Sequence, residues 1–181
     1  ALWGQGLGIL YASIFCLHLL LMAAFTAIPT VMTEQVGLPP EQHAWLYLAT
    51  LCGALPGVAM LVRRRQALDD SRPLLALSAL LTVLGLVTAL WASSLLVLGV
   101  GLVLFFVGFT ALETILPALV SIVAPTSLRG TAMGIFSSAQ FLGVFTGGAL
   151  GGNALHVGGA LGLVAVLSML TGIWLCLLYT S

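Results

Sequence analysis

The sequence predicts an all-α polytopic membrane protein of six transmembrane helices, arranged as a 3+3 inverted repeat. Of its 181 residues, 61% are apolar and only 6% are charged, whereas soluble proteins carry about 25% charged residues. The apolar residues fall into six stretches of about 20 residues or more, which is the length that crosses the ~30 Å hydrocarbon layer of a bilayer. Strict alternation of apolar and polar residues is absent, so these stretches are helices rather than strands of a barrel.

The six predicted spans are separated by short breaks that hold nearly all of the charges. The spans run over about 9–33, 44–62, 73–92, 95–123, 130–153 and 157–178. In chain order the breaks are marked by Glu34 to Glu41, by Arg63 to Pro73, by Ala92-Ser93-Ser94, by Pro125 to Arg129 and by Asn153 to Gly159. We treat all six spans as one bundle over residues 1–181.

All the basic residues lie in the second and fourth breaks. They are Arg63, Arg64, Arg65, Arg72 and Arg129. Cytoplasmic loops of membrane proteins carry an excess of Lys and Arg. The sequence therefore predicts that these two loops and both termini are cytoplasmic.

The two sets of three spans resemble one another. The first helix of each set holds a proline toward its far end, Pro29 and Pro117, and the second holds glycines at helical spacing. Because three spans is an odd number, the second set enters the membrane from the opposite side, as in the inverted repeats of secondary transporters.

Small residues in the second and fifth spans predict close helix packing. These residues are Gly53, Gly57, Gly143, Gly147 and Gly151, and glycine lets two helix backbones approach closely in a membrane. The third and sixth spans are rich in Leu and nearly free of polar residues, so we expect them to face lipid.

Glu113 is the carboxylate placed well inside a predicted span, about ten residues or roughly 15 Å from the end of the fourth helix. Burial at that depth disfavours the charged form of a carboxyl. One interpretation is a proton-coupling or cation-binding site. The other is a structural Glu that bonds to a neighbouring helix or pairs with Arg129.

His18 and Gln140 are polar residues inside the first and fifth spans. His18 is a candidate to bind substrate or to share a proton with Glu113, and the alternative is a histidine hydrogen-bonded between helices. Gln140 either lines a cavity or bonds to a neighbouring backbone. Phe25, Phe105, Phe106 and Phe109 form an aromatic wall for an apolar substrate or simply pack.

The sequence contains little that indicates another class of function. The segment Gly134 to Ser138 with His156 lacks the GxSxG pattern of a serine hydrolase, so we expect no enzyme. No phosphate-binding glycine loop, metal-ligand spacing or strongly basic face is present in the sequence. We therefore expect no cofactor, no metal and no nucleic-acid partner.

Several segments together resemble a known family. They are Leu112 to Ser121, Ala124-Pro125, Arg129 to Gly134, Gln140 to Gly143 and Gly147 to Gly152, with a weaker segment from Cys16 to Gln35. In order and spacing they are similar to the major facilitator superfamily of transporters, and to its YajR-like branch of proton-driven drug-efflux proteins.

The resemblance implies that the six spans are helices seven to twelve, the C-terminal half of a twelve-helix transporter in a bacterial inner membrane. It implies proton-coupled efflux of small molecules by antiport, with the N-terminal half as partner. Substrate-cavity candidates on the first, fourth and fifth helices are Met22, Phe25, Thr26, Phe109, Ser137, Gln140 and Phe141.

The abrupt first and last residues predict a fragment or an excised domain. Alternatives to a half-transporter are a self-contained six-helix protein that acts as a homodimeric carrier or channel, and a membrane scaffold without transport.

Overall fold

The computed structural model describes residues 2, 4–66 and 70–179, and within 154–179 it describes the side chains of His156, Val157 and Trp174 alone. The described residues form helices and no strand. The helices are α1 Gln5–Thr30, α2 Pro40–Gln66, α3 Arg72–Leu90, α4 Leu95–Val123 and α5 Arg129–Tyr179. A π-helical segment, Val31–Gln35, extends α1, and a 3₁₀ turn, Thr126–Leu128, precedes α5.

Local sequence explains where α4 begins and ends. The side chain of Ser94 accepts a hydrogen bond from the backbone N–H of Val97 at 3.4 Å and caps the first turn. At the other end Ala124 is extended, because the residue before a proline disfavours helical backbone. The predicted span 95–123 is therefore the same as the helix.

Glycine contacts fix the direction of the helices. On α5, Gly143, Gly147 and Gly151 lie in turn against Phe15, Leu19 and Ala23 of α1. The residue numbers on the two helices rise together from one contact to the next, so α1 and α5 are parallel. On α2, Gly53 and Gly57 lie against Val103 and Val107 of α4, so α2 and α4 are also parallel.

The helices α3 and α4 are antiparallel and pack closely. A Cβ added at Gly85 would overlap the backbone of Phe105, and one added at Gly108 would overlap the carbonyl oxygen of Ser78. Gly101 of α4 lies in the same way against Ala89. These glycines are not among those predicted to pack helices. The face of α3 toward α4 is buried and includes Ser78 and Thr82. Leu77, Leu80 and Leu84 of α3 are exposed, and the expectation that this helix faces lipid stays a prediction.

The fifth and sixth predicted spans fall in one helical assignment, α5, with no break at Asn153 to Gly159. Yet the indole N–H of Trp174 contacts Ser13, while Gly151 contacts Ala23. At 1.5 Å per residue, a straight helix would carry Trp174 about 35 Å beyond Gly151, away from Ser13. The chain therefore turns back between Gly151 and Trp174.

Five stretches of the described residues are long and apolar enough to cross a membrane, the last being Thr126–Asn153. Most side chains of the predicted sixth span, 157–178, lie outside the described residues. Six separate spans and the 3+3 repeat thus stay predictions. The pairs α1–α5 and α2–α4, both of which are parallel and packed through glycines, are the two pairs that such a repeat would relate to each other.

The arginines gather at one end of the bundle. Because α2 is parallel and α3 antiparallel to α4, Arg63–Arg65 at the end of α2 and Arg72 at the start of α3 lie at the same end as the last turn of α4. Arg129 begins α5 at that end too. Glu34 and Glu41 lie at the opposite end, after α1 and at the start of α2.

Candidate functional site

Three polar side chains from three helices meet inside the bundle. His18 lies on α1, Glu113 on α4 and Gln140 on α5. The amide nitrogen of Gln140 lies 2.9 Å from Nε2 of His18 and 3.1 Å from Oε1 of Glu113. Nε2 of His18 lies 3.4 Å from Oε2 of Glu113. We call His18, Glu113 and Gln140 the polar triad.

The backbone fixes the tautomer of His18. Its Nδ1 lies 3.2 Å from the carbonyl oxygen of Ile14, one helical turn earlier. A carbonyl oxygen can only accept a hydrogen bond, so in the neutral ring Nδ1 carries the hydrogen and Nε2 presents its lone pair. That lone pair faces the amide nitrogen of Gln140, which donates to it.

The surroundings of the triad are mostly apolar. His18 is 5% exposed, and its ring meets the ring of Phe109 edge-on at 5.6 Å between centroids. Phe109 in turn stacks on Phe105 at 5.7 Å. In such surroundings hydrogen bonds between polar groups are stronger than in water, and an unpaired polar group is costly.

Glu113 is only partly paired. Its side chain is 35% exposed, and Oε1 accepts from Gln140. Oε2 is buried and has no hydrogen-bond partner among the described residues. The ion pair recorded for Glu113 is with His18 and not with Arg129, which begins the next helix and is exposed.

The remaining cavity candidates are spread around the triad. Met22 and Ser137 are half-buried on α1 and α5. Phe25 stacks on Tyr47 of α2 at 5.1 Å between ring centroids. The hydroxyl of Thr26 donates to the carbonyl oxygen of Ala23 in its own helix.

Phe141 lies on the outside of the bundle. Its side chain is 70% exposed, and the apolar face of α5 around it is exposed too. The face includes Leu142 and Phe145. A comparable face on α2 includes Trp45, Leu48 and Leu55.

An apolar groove of about 730 Å³ lies between the first halves of α2 and α4, away from the triad. Its walls are Ala49, Thr50, Leu95, Leu96, Gly99, Val100, Val103 and Leu104. None of the cavity candidates lines it. The polar triad and this apolar groove are thus separate.

Sequence reasoning missed one polar contact between α1 and α5. Nε1 of Trp174 donates to Oγ of Ser13 at 3.0 Å, and both residues are fully buried. A lone serine in an apolar run is a weak signal, because its hydroxyl commonly bonds to its own helix.

The chain is similar to curated bacterial transport proteins. It is 35% identical to the Escherichia coli (strain K12) protein named "Inner membrane transport protein YajR" over 164 residues, which are 90% of this chain and 36% of that protein. It is 31% identical to an uncharacterized transporter of Buchnera aphidicola subsp. Acyrthosiphon pisum over 140 residues, 76% of this chain and 35% of that protein. A 52-residue stretch is 50% identical to an uncharacterized transporter of Buchnera aphidicola subsp. Baizongia pistaciae.

No family model matches the chain. The helices and the inner-membrane name of the E. coli relative together place the chain among integral membrane proteins. It spans about a third of the length of the E. coli protein and of the Buchnera aphidicola subsp. Acyrthosiphon pisum protein. Over most of its own length, the chain is therefore related to one part of longer proteins that are named as transporters.

Proposed function

We propose that the chain is the C-terminal half of a major facilitator-type transporter that exports small molecules across the bacterial inner membrane in exchange for protons. The polar triad carries the proposal: a carboxylate, an imidazole and an amide from three helices converge where the surrounding helices are apolar. Ionisable residues in such positions are expensive and mark ion pathways, proton relays and substrate sites.

The chemistry of the triad suits proton coupling. Glu113 and His18 are adjacent groups that can each hold a proton, and Oε2 of Glu113 stands 3.4 Å from Nε2 of His18. One proton shared between them satisfies both atoms. Because Glu113 is partly exposed, its carboxyl can exchange that proton with water that enters from one side of the membrane.

The exposed apolar faces of α2 and α5 support a missing partner. Both helices carry large apolar side chains that are exposed, among them Trp45 on α2 and Phe145 on α5. In each of these relatives, the part that this chain does not match is about twice as long as the part that it matches. In the proposed transporter the N-terminal half covers these faces, and the two halves rock about a central site so that it opens to one side at a time.

The arginine-rich end of the bundle supports the orientation. With Arg63, Arg64, Arg65, Arg72 and Arg129 at one end, the positive-inside tendency puts that end in the cytoplasm. The start of α1 lies at the same end, since α1 is parallel to α5. The proposed chain thus enters from the cytoplasmic side.

The test is transport by the full-length protein in proteoliposomes with an imposed pH gradient. Ethidium, a planar apolar cation, serves as the first probe, followed by a panel of neutral and anionic apolar dyes. We expect gradient-driven movement of at least one probe and a loss of about tenfold or more for Glu113→Gln. Glu34→Gln removes an exposed carboxylate at the far end and is the matched control.

Two results would contradict the proposal. One is equal, pH-dependent transport by wild type and Glu113→Gln, which removes Glu113 from coupling. The other is that this chain alone, purified as a dimer, transports as well as the full-length protein, which would establish a self-contained homodimeric carrier.

A further inference from the structure

We infer that Gln140 senses the protonation state of His18 and Glu113, because its amide nitrogen can donate to Nε2 of His18 only while that pair is unprotonated. The role of this sensing in transport rests on the proposed function. The geometry on which it stands is independent of any substrate.

The starting state is defined by counting hydrogens. The amide nitrogen of Gln140 carries two hydrogens, and it has two acceptors, Nε2 of His18 at 2.9 Å and Oε1 of Glu113 at 3.1 Å. Since Nδ1 of His18 donates to Ile14, Nε2 has one lone pair, and Gln140 occupies it. Every hydrogen of the amide is used, and Oε2 of Glu113 is left without one.

Adding one proton to either of the two facing atoms, Nε2 of His18 or Oε2 of Glu113, breaks this arrangement in the same place. On Nε2 of His18 it sets an N–H against the N–H of Gln140, and the ring donates to Oε2 of Glu113 instead. Rotating the amide of Gln140 to accept from the ring would set its oxygen against Oε1 of Glu113, which is unfavourable. On Oε2 of Glu113 it forms an O–H that donates to Nε2 and displaces Gln140. Proton uptake therefore exchanges a bond between α1 and α5 for a bond between α1 and α4.

The helices packed against α5 carry few other titratable groups: besides His18, α1 has Tyr11 and Cys16, and α4 has Glu113 alone. Within the described residues of α5, the sequence between Arg129 and His156 contains none. Of the helices that pack on α5, α3 has its one titratable residue, Arg72, at its first position. The groups that face Gln140 are His18 from α1 and Glu113 from α4.

The position of Gln140 gives the exchange a mechanical consequence. Gly143, the next glycine along α5, lies against Phe15 and His18, and Gly147 and Gly151 continue this seam. When the bond to His18 is lost, that part of the seam is held by van der Waals contact alone. The opposite face of α5 is the exposed apolar one, so loosening at Gln140 reaches the surface that the proposed N-terminal half covers.

The test is a pH titration of His18 by ¹⁵N NMR, on full-length protein labelled at histidine and held in lipid nanodiscs. The resonance missing from His18→Asn identifies the residue. Both N–H groups of Gln140 bond to the unprotonated pair, so Gln140→Leu and Gln140→Met should shift the pH midpoint of the His18 signal from its wild-type position by about one pH unit. Ser13→Ala removes a different polar contact between α1 and α5 and should leave the midpoint in place.

An unchanged midpoint in both Gln140 variants, with the fold verified by tryptophan fluorescence, would overturn the inference. So would an equal shift in Ser13→Ala, because the cause would then be general loosening of the two helices. This readout needs no substrate. If Glu113→Gln leaves transport intact while the His18 midpoint still moves in the Gln140 variants, the proposed function fails and the inference stands.

Discussion

The indole N–H of Trp174 and the hydroxyl of Ser13 form a hydrogen bond of 3.0 Å between residues 161 positions apart, both fully buried. This contact ties the last part of α5 to α1. It is the observation that requires α5 to turn back, because the glycines earlier in α5 lie progressively further along α1.

Ser13→Ala should therefore destabilise the protein modestly. The change leaves Nε1 of Trp174 buried without an acceptor, and polar contacts between membrane helices contribute about 0.6–2 kcal/mol. Thermal unfolding in detergent, followed by tryptophan fluorescence, should show a lower midpoint. Ser138→Ala is the control, because Ser138 is exposed and bonds to Gly134 of its own helix; equal midpoints in the two variants would show that the Trp174 contact contributes nothing.

Gly147→Ala should cost far more stability than Gly148→Ala. A Cβ at Gly147 would overlap the carbonyl oxygen of Leu19, and backbone cannot move as a side chain can. Overpacking of this kind typically costs about 1–3 kcal/mol. A Cβ at Gly148 meets nothing within 4 Å, so the neighbouring position provides the comparison in the same unfolding assay. Similar losses at the two positions would argue against the α1–α5 seam.

His18→Gln should reduce proton-driven transport by the full-length protein about tenfold. Glutamine keeps hydrogen-bonding groups but cannot hold the proton that we assign to the His18–Glu113 pair. The comparison is His43→Gln, since His43 bonds to Leu38 near the start of α2 and lies outside the triad. Uptake of ethidium into proteoliposomes over a range of pH measures both. Transport by His18→Gln with the pH profile of wild type would contradict the assignment.

A cysteine placed at Arg64 should react with a membrane-impermeant maleimide only from the cytoplasmic side, and one placed at Glu34 only from the periplasmic side. Both positions are exposed, and they lie at opposite ends of the bundle. Intact cells and inverted vesicles, in a background free of native cysteines, give the two labelling patterns. Labelling of both cysteines from one side would refute the orientation.

The sequence was sufficient to predict most helix positions, because the signal is local. The span 95–123 agrees with α4 residue for residue, since Ser93-Ser94 and Pro125 bound its apolar run. The first helix runs past the expected residue 33 as a π-helical segment that follows Pro29. The fifth and sixth spans lie in one helix, α5, and most side chains of the sixth lie outside the described residues, so their separation stays a prediction.

The three members of the triad could be predicted from the sequence as candidates, but the contacts between them could not. Glu113, His18 and Gln140 each stand out as polar residues in apolar runs, a property of each residue alone. Whether they touch depends on the rotation of three helices, which is set by glycine contacts such as Gly143 against Phe15. The same limit explains the missed seam of α3 and α4, where Gly85, Gly101 and Gly108 look isolated in the sequence and become neighbours only in the fold.

The confinement of the arginines to one end has a consequence for protease sensitivity. The chain contains no lysine and five arginines. Trypsin cuts after Lys and Arg unless a proline follows, so it can cleave only after Arg63, Arg64 and Arg65 at the end of α2 and after Arg129 at the start of α5, since Arg72 precedes Pro73. In a sealed vesicle this stretch presents every tryptic site on one side of the bilayer. From the other side, the enzyme has no peptide bond in these 181 residues that it can cleave.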